Sequence, residues 1–407
     1  MNAIQVKGPA AGRWFYLFIG AVGMLFSGVI YAWSILKAPL EEAFGWSGSA
    51  LALNFTLTMC CFCIGGILAS ALQSRYSLRA VLLLSAALSG AGFCFTSRMT
   101  GGNILVLYVC YGGLAGLGIG MAYNAVISTL NAWFHDKKGS CSGVLMMSFG
   151  FSSLLLGQLA SRIIQSQRWG WRAAYRFLGA GVALALLLCA LILAQAPPVQ
   201  KPAVRQRPAG PAGTLGEYTP RQMLARGSFW RFFLYCILVS AIGNTIISFA
   251  RDLALSFDMA DAAAAALVGV LSICNGLGRI LCGFLFDGLG RRWAMLAANA
   301  AAISAPALIL AGVLTHSALL GGVGMCVAGL SYGCCPTISA AVVGSFYGMK
   351  HYAANYSLAN TMLIPTSFVA TAASLLLSAT GNYALPCAML LAFAVVGLGL
   401  NLSLRRP

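Results

Sequence analysis

The sequence predicts an all-α membrane protein with twelve transmembrane helices in two six-helix, pseudo-symmetric bundles. Three observations predict it. The 407 residues are 60% hydrophobic and only 8% charged, against about 25% charged in a soluble domain. Apolar runs long enough to cross a bilayer, about 20 residues each, recur along the whole chain. One long polar segment interrupts them, midway.

The spans are justified in order. The first, 14–36, starts at Trp14, and the second, 49–72, follows Trp46; such aromatics suit the membrane interface. The third, 79–97, follows Arg75 and starts at Arg79. The fourth, 104–133, carries GGLAGLGIGMAYN and closes on Trp133. The fifth, 139–164, follows Lys137 and Lys138 and contains SFGFSSLLLG. The small residues of both allow close helix approach. The sixth covers 172–194. The Pro-, Gly- and Arg-rich stretch 196–227 then reads as a linker, which divides the chain into 1–195, 196–227 and 228–407. The second half repeats the pattern: 229–250 with Trp230, 262–286, 292–314 with Trp293, 318–346, 353–379 and 382–403. GFLFDGLGRR (283–292) aligns with SALQSRYSLR (70–79), so Ser74 falls on Asp287 and Arg79 on Arg292. Internal repetition of this sort is a transporter trait.

The net charge of +17 follows the spans rather than a nucleic-acid face. Seventeen of the 25 basic residues, including Lys7, Arg13, Lys201, Arg205, Arg207 and Lys350, fall on one side of the predicted topology. By the positive-inside rule both termini are cytoplasmic. The start, MNAIQVKGPAAGR, runs straight into a full-length span without a cleavage pattern. A bacterial cytoplasmic membrane is the expected location. The 14 cysteines lie in predicted helices without metal-ligand spacing, and read as small packing residues. No metal, cofactor or nucleic acid is expected. His135, His316 and His351 sit in loops or at helix ends beside no plausible nucleophile, which argues against an enzyme.

Arg279 is the exception to the charge pattern, because it falls inside the eighth span. A cation at that depth costs about 3 kcal/mol or more on insertion scales. The eight acids, Glu41, Glu42, Asp136, Glu217, Asp252, Asp258, Asp261 and Asp287, all fall in predicted loops or helix ends. Arg279 is therefore expected to lack a resident carboxylate, and to face a wet cavity where guanidinium can take a carboxylate through two parallel hydrogen bonds. The competing reading ties Arg279 to backbone carbonyls or to Asp252.

The stretches SGVIYAWSI (27–35), MAYNAVISTLNAWFHDKKGSCSG (121–143), GWRAAYRFLG (170–179), NGLGRILCGFLFDGLGRR (275–292) and NYSL (355–358) resemble the major facilitator superfamily. More narrowly they resemble its oxalate/formate antiporter family, with a wider likeness to monocarboxylate transporters. The resemblance implies an anion site built on Arg279 and lined by Tyr31, Tyr123 and Tyr332. It also implies a cytoplasmic gate at Asp287, Gly290, Arg291 and Arg292. Oxalate exchangers place a lysine where this chain has Leu363. One cation instead of two implies a monocarboxylate such as pyruvate, lactate or formate, since a second buried substrate charge would go unpaired. Asn275 and Asn360 could bond a further substrate oxygen, or make ordinary interhelical bonds. Proton-linked relatives carry an aspartate at the Asn275 position. Its absence points to exchange against a counter-anion, or to proton coupling through Asp252. Oxalate or other dicarboxylate exchange, and a non-transporting membrane sensor of carboxylates, are the alternatives. A monomer in the bilayer is expected.

Overall fold

The computed structural model describes residues 10–166, 168–196 and 217–407. Among them there is no strand, and twelve helices are long and apolar enough to cross a membrane. Spans 1–6 are Gly12–Ala32, Leu53–Gln73, Leu78–Ser97, Ile104–Trp133, Lys138–Gln165 and Gly170–Ile192. Spans 7–12 are Gly227–Ser248, Ala266–Leu289, Arg291–Thr315, Ala318–Phe346, Tyr352–Thr380 and Ala384–Ser403. Lys7, Lys201, Arg205, Arg207 and most of the 196–227 stretch lie outside the described residues.

Local chemistry sets the helix ends. Ser77 accepts from Ala80 N, Asn103 from Leu105 N and Ser317 from Leu320 N, each capping the span that follows. Spans 8 and 9 meet at Gly290, whose φ of +84° needs a residue without Cβ. The linker stretch is structured at its end. Pro220–Leu224 is a short helix with a Thr219–Gln222 capping box, and Tyr218 N donates to Tyr347 O at 3.0 Å.

Three spans depart from regular α geometry. Span 1 tightens to a 3₁₀ turn at Gly28–Ala32, and span 4 carries a π stretch at Tyr108–Ala115. Span 11, expected to be continuous, is two helices, Tyr352–Asn360 and Leu363–Thr380. Pro365 explains the break: its ring clashes with the carbonyl of Thr361 and it has no N–H to give it. The carbonyl of Thr361 accepts from Ile364 N at 3.0 Å instead.

The two bundles meet chiefly through spans 5 and 8, and through span 2 against both halves of span 11. Glycines bring the backbones together. A methyl on Gly143 would lie 2.6 Å from the carbonyl of Arg279, and one on Gly139 2.6 Å from that of Gly283. Span 5 has no N-cap of its own; Lys137 makes no capping bond. Its cap comes from the other bundle. Asp287 accepts from Gly139 N at 2.9 Å, from Ser140 N at 2.7 Å and from Ser140 Oγ at 2.7 Å. A carboxylate on free first-turn N–H groups also meets the positive end of the helix dipole. Arg291 turns away from this cluster, toward the carbonyl of Leu404 and the ring of Phe346.

Asp287 marks what is called here the linker face, the side that carries Asp136 and the 217–226 segment. Tyr352 accepts from Asn131 Nδ2 at 2.9 Å, and Ala353 O from Asn124 Nδ2 at 3.1 Å. These bonds also join the bundles on the linker side of Arg279. The linker face is shut.

Candidate functional site

Arg279 sits in span 8 with 4% of its surface exposed. Its neighbours explain how a cation persists there. Nη1 donates to the carbonyl of Met146 in span 5, across the bundle interface. Thr337 Oγ1 donates to the Arg279 carbonyl at 3.2 Å. Nε is buried with no partner. No ion pair to Arg279 is found among the described residues, whereas Arg13 pairs with Asp136 on the linker face. Part of the competing sequence reading therefore holds, because one backbone carbonyl is engaged. No acid is.

Gly150 makes room for the guanidinium. A Cβ at that position would lie 2.8 Å from Nη1 and 3.0 Å from Cζ. Nothing in the sequence alone marked Gly150 out from the other glycines of span 5.

Arg279 opens on a cavity of about 20 Å³ between the bundles, room for about one water. The N-terminal bundle contributes a box of four rings. Tyr31 and Phe149 have centroids 5.3 Å apart at 90°, and Phe62 and Tyr123 both lie 5.1 Å from a neighbour in the box. The C-terminal bundle contributes Ser240, Tyr332, Pro336, Asn360, Met362 and Leu363. The break in span 11 falls at this wall, between Asn360 and Leu363. The hydroxyls of Tyr31 and Tyr332 and the side-chain amide of Asn360 make no hydrogen bond to any described residue. Tyr123 does: its hydroxyl lies 3.1 Å from that of Tyr356 in span 11. Such a site can offer an anion two guanidinium donors, two or three phenols and an amide, with rings to exclude water.

The structure thus brings together Arg279, Tyr31, Tyr123, Tyr332, Asn360 and Leu363. It does not bring Asn275 to the cavity lining; the Asn275 Oδ1 atom is buried one turn away without a partner. Asp252 does not reach Arg279 either. It is exposed in the short helix Ala250–Leu255, at the rim opposite the linker face. There it lies near Tyr383, whose phenol is pushed up by burial and further by that carboxylate. Phe62, Phe149, Ser240, Pro336 and Met362 were not expected from the sequence; Pro336, a proline inside an apolar span, was the one available signal. All 14 cysteines are free thiols. Larger hollows of about 450 and 350 Å³ open at the linker face, and neither includes Arg279.

The sequence profile of the Major Facilitator Superfamily matches residues 17–364. The oxalate:formate antiporter of Oxalobacter formigenes is 26% identical over 353 residues, covering 86% of this chain and 82% of that one. Human monocarboxylate transporter 11 is 28% identical over 289 residues, 70% of this chain and 58% of that protein. The proton:xylose symporter XylE bound to 6-bromo-6-deoxy-D-glucose superposes with a TM-score of 0.70 at 15% identity, covering 96% and 95% of the two chains. That likeness concerns the fold alone.

Proposed function

The chain belongs to the major facilitator superfamily and is a multi-pass membrane transporter, and from that premise we propose that it carries a small monocarboxylate by alternating access around Arg279. The observation that supports this reading is the state of Arg279. It is a buried guanidinium with an unpartnered Nε, no acid beside it, and unpartnered phenols and an amide on the same cavity. A buried cation without a counter-charge is costly. A carboxylate that forks onto Nε and Nη2 offsets that cost and brings no surplus charge. The names of two relatives, an oxalate:formate antiporter and a monocarboxylate transporter, fit a carboxylate as cargo. Leu363 at the wall, rather than a second cation, favours one carboxylate group over two.

The cavity holds about one water, so it is the closed form of the site. Cargo must enter as the bundles part on the side opposite Asp287. Tyr123 links cargo to gate: its hydroxyl can face the anion or hold Tyr356 of the other bundle. Occupancy of the site therefore competes with a bond that keeps the linker face shut. We read 1–195 and 228–407 as the two rocking units with 196–227 as tether, the linker face as cytoplasmic, and the protein as a monomer of a bacterial inner membrane. With Asn275 off the lining and Asp252 at the rim, no described acid lines the site. Exchange against a counter-anion fits this better than proton symport.

Uptake of labelled pyruvate, lactate and formate into proteoliposomes preloaded with unlabelled anion tests the proposal. Wild-type protein is expected to accumulate at least one of them. Arg279→Ala is expected to lose uptake at least 100-fold while keeping its elution profile and helix content. Uptake that persists in that variant overturns the reading, and binding without accumulation makes the protein a sensor.

A further inference from the structure

A second hollow, of about 350 Å³, lies on the linker face where the bundles meet. One wall is the inner ends of spans 2 and 4, with Gln73, Ser128 and Thr129. The other is the connection into span 11, Lys350 to Ala354. Its chemistry is one-sided, with donors on both walls and no acid in the lining. Thr129 is 8% exposed, yet its hydroxyl has no hydrogen-bond partner among the described residues. The Gln73 Nε2 group is buried and unpartnered, while its Oε1 accepts from Ser128 Oγ at 3.5 Å. Opposite them the half-helix Tyr352–Asn360 begins. The N–H groups of Ala353 and Ala354 belong to its first turn, where no intrahelical acceptor exists. Lys350 adds a full positive charge and His351 an imidazole. The carboxylate of Glu217 adjoins the hollow. It accepts from Lys350 N at 2.8 Å and lines the neighbouring hollow instead.

A helix N-terminus, a cation and unpartnered donors on the facing wall together suit an oxyanion. We propose that this hollow is a second anion site, separate from Arg279, which takes a phosphate- or carboxylate-bearing group and holds the linker face shut. The clamp follows from the geometry. Gln73 and Thr129 belong to one bundle and Lys350 to Ala354 to the other, so the site is complete only while the bundles touch there. A ligand that binds only that arrangement shifts the population toward it. Such a ligand on the linker side slows the half-cycle that opens there.

Inorganic phosphate is the probe, with full-length protein in detergent and chloride at equal ionic strength as the control. Phosphate is expected to raise Tm saturably, and to slow labelling of Ala353→Cys by a membrane-impermeant thiol reagent in proteoliposomes. Thr129→Val with Lys350→Gln is expected to weaken the apparent affinity at least tenfold. Lys350→Gln alone alters an exposed side chain, so a weaker response there decides the matter if the double variant folds poorly. Arg279→Ala is expected to keep the phosphate response, which separates this site from the transport proposal. If vesicles with phosphatidylglycerol produce the effect and free phosphate does not, the group is a lipid headgroup and the site stands. No response to either probe, a response undiminished in both Lys350 variants, or one lost in Arg279→Ala overturns it.

Discussion

The residue on which the proposed chemistry turns is one arginine in a run built for lipid. Around it lie a carbonyl on Nη1, a threonine on its own carbonyl and a small cavity, while Nε is buried without a partner. The guanidinium also depends on the space that Gly150 leaves it. Gly150→Ala places a methyl against the guanidinium; the expected result is a KM at least tenfold higher with unchanged membrane insertion, read from uptake kinetics. In the proposed reading Leu363 limits the charge of the cargo. Leu363→Lys adds a second cation to the wall, and a competition panel of mono- and dicarboxylates is expected to show inhibition shifting toward oxalate. Arg279, Leu363 and the three tyrosines were legible in the sequence, through a charge out of place and through a resemblance. Phe62 and Phe149 were not. In spans apolar on every side, hydrophobic pattern does not say which face meets the other bundle. Asn275 failed for the same reason, since one turn of helix separates the cavity from a packed wall.

At the scale of elements, the lengths and order of the spans followed from hydropathy, because a bilayer demands about 20 apolar residues per crossing. Predicted and observed ends mostly agree within a few residues; 104–133 and 318–346 coincide with Ile104–Trp133 and Ala318–Phe346. The irregularities did not follow. Pro365 was visible in the sequence, yet a proline kinks some helices and breaks others, and only the neighbours decide. Here the break opens the cavity wall, and the carbonyl of Asn360 finds Cys63 Sγ across the interface at 3.8 Å. The Asp287 cap is the other cross-bundle device. The motif was readable, but its acceptor geometry was not, because the donors Gly139 and Ser140 are 148 and 147 residues away in sequence. Asp287→Ala frees two backbone donors at the start of span 5. It is expected to destabilise the closed linker face by about 1 kcal/mol, seen as several-fold faster labelling of a cysteine introduced at that face.

For the whole molecule, two bundles bonded to each other on the linker face enclose a small cavity, and the proposed transport cycle needs the seam between them to move. The seam runs through spans 5 and 8, where glycine backbones touch, and ends at the Asp287 cap. With no described acid on the cavity, the proposed exchange leaves charge balance to the anion itself. Exchange is accordingly expected to change less than twofold between pH 6 and pH 8 at a fixed concentration of the ionised substrate, measured as counterflow in proteoliposomes. A steep rise on acidification points to proton coupling instead, with Asp252 as the first residue to replace.

Hydropathy and charge placement alone determined that this chain has twelve helices long and apolar enough to cross a membrane, and that one cation, Arg279, falls deep inside a span. These are one-dimensional quantities: length, solvent preference and the cost of an unpaired charge depend on the residues themselves. Tertiary structure decided which rings surround that cation, which glycine yields it space, and which bundle lends the other a cap. Those depend on helix rotation and on contacts between residues far apart in the chain, and in a run apolar on all sides no local pattern encodes them.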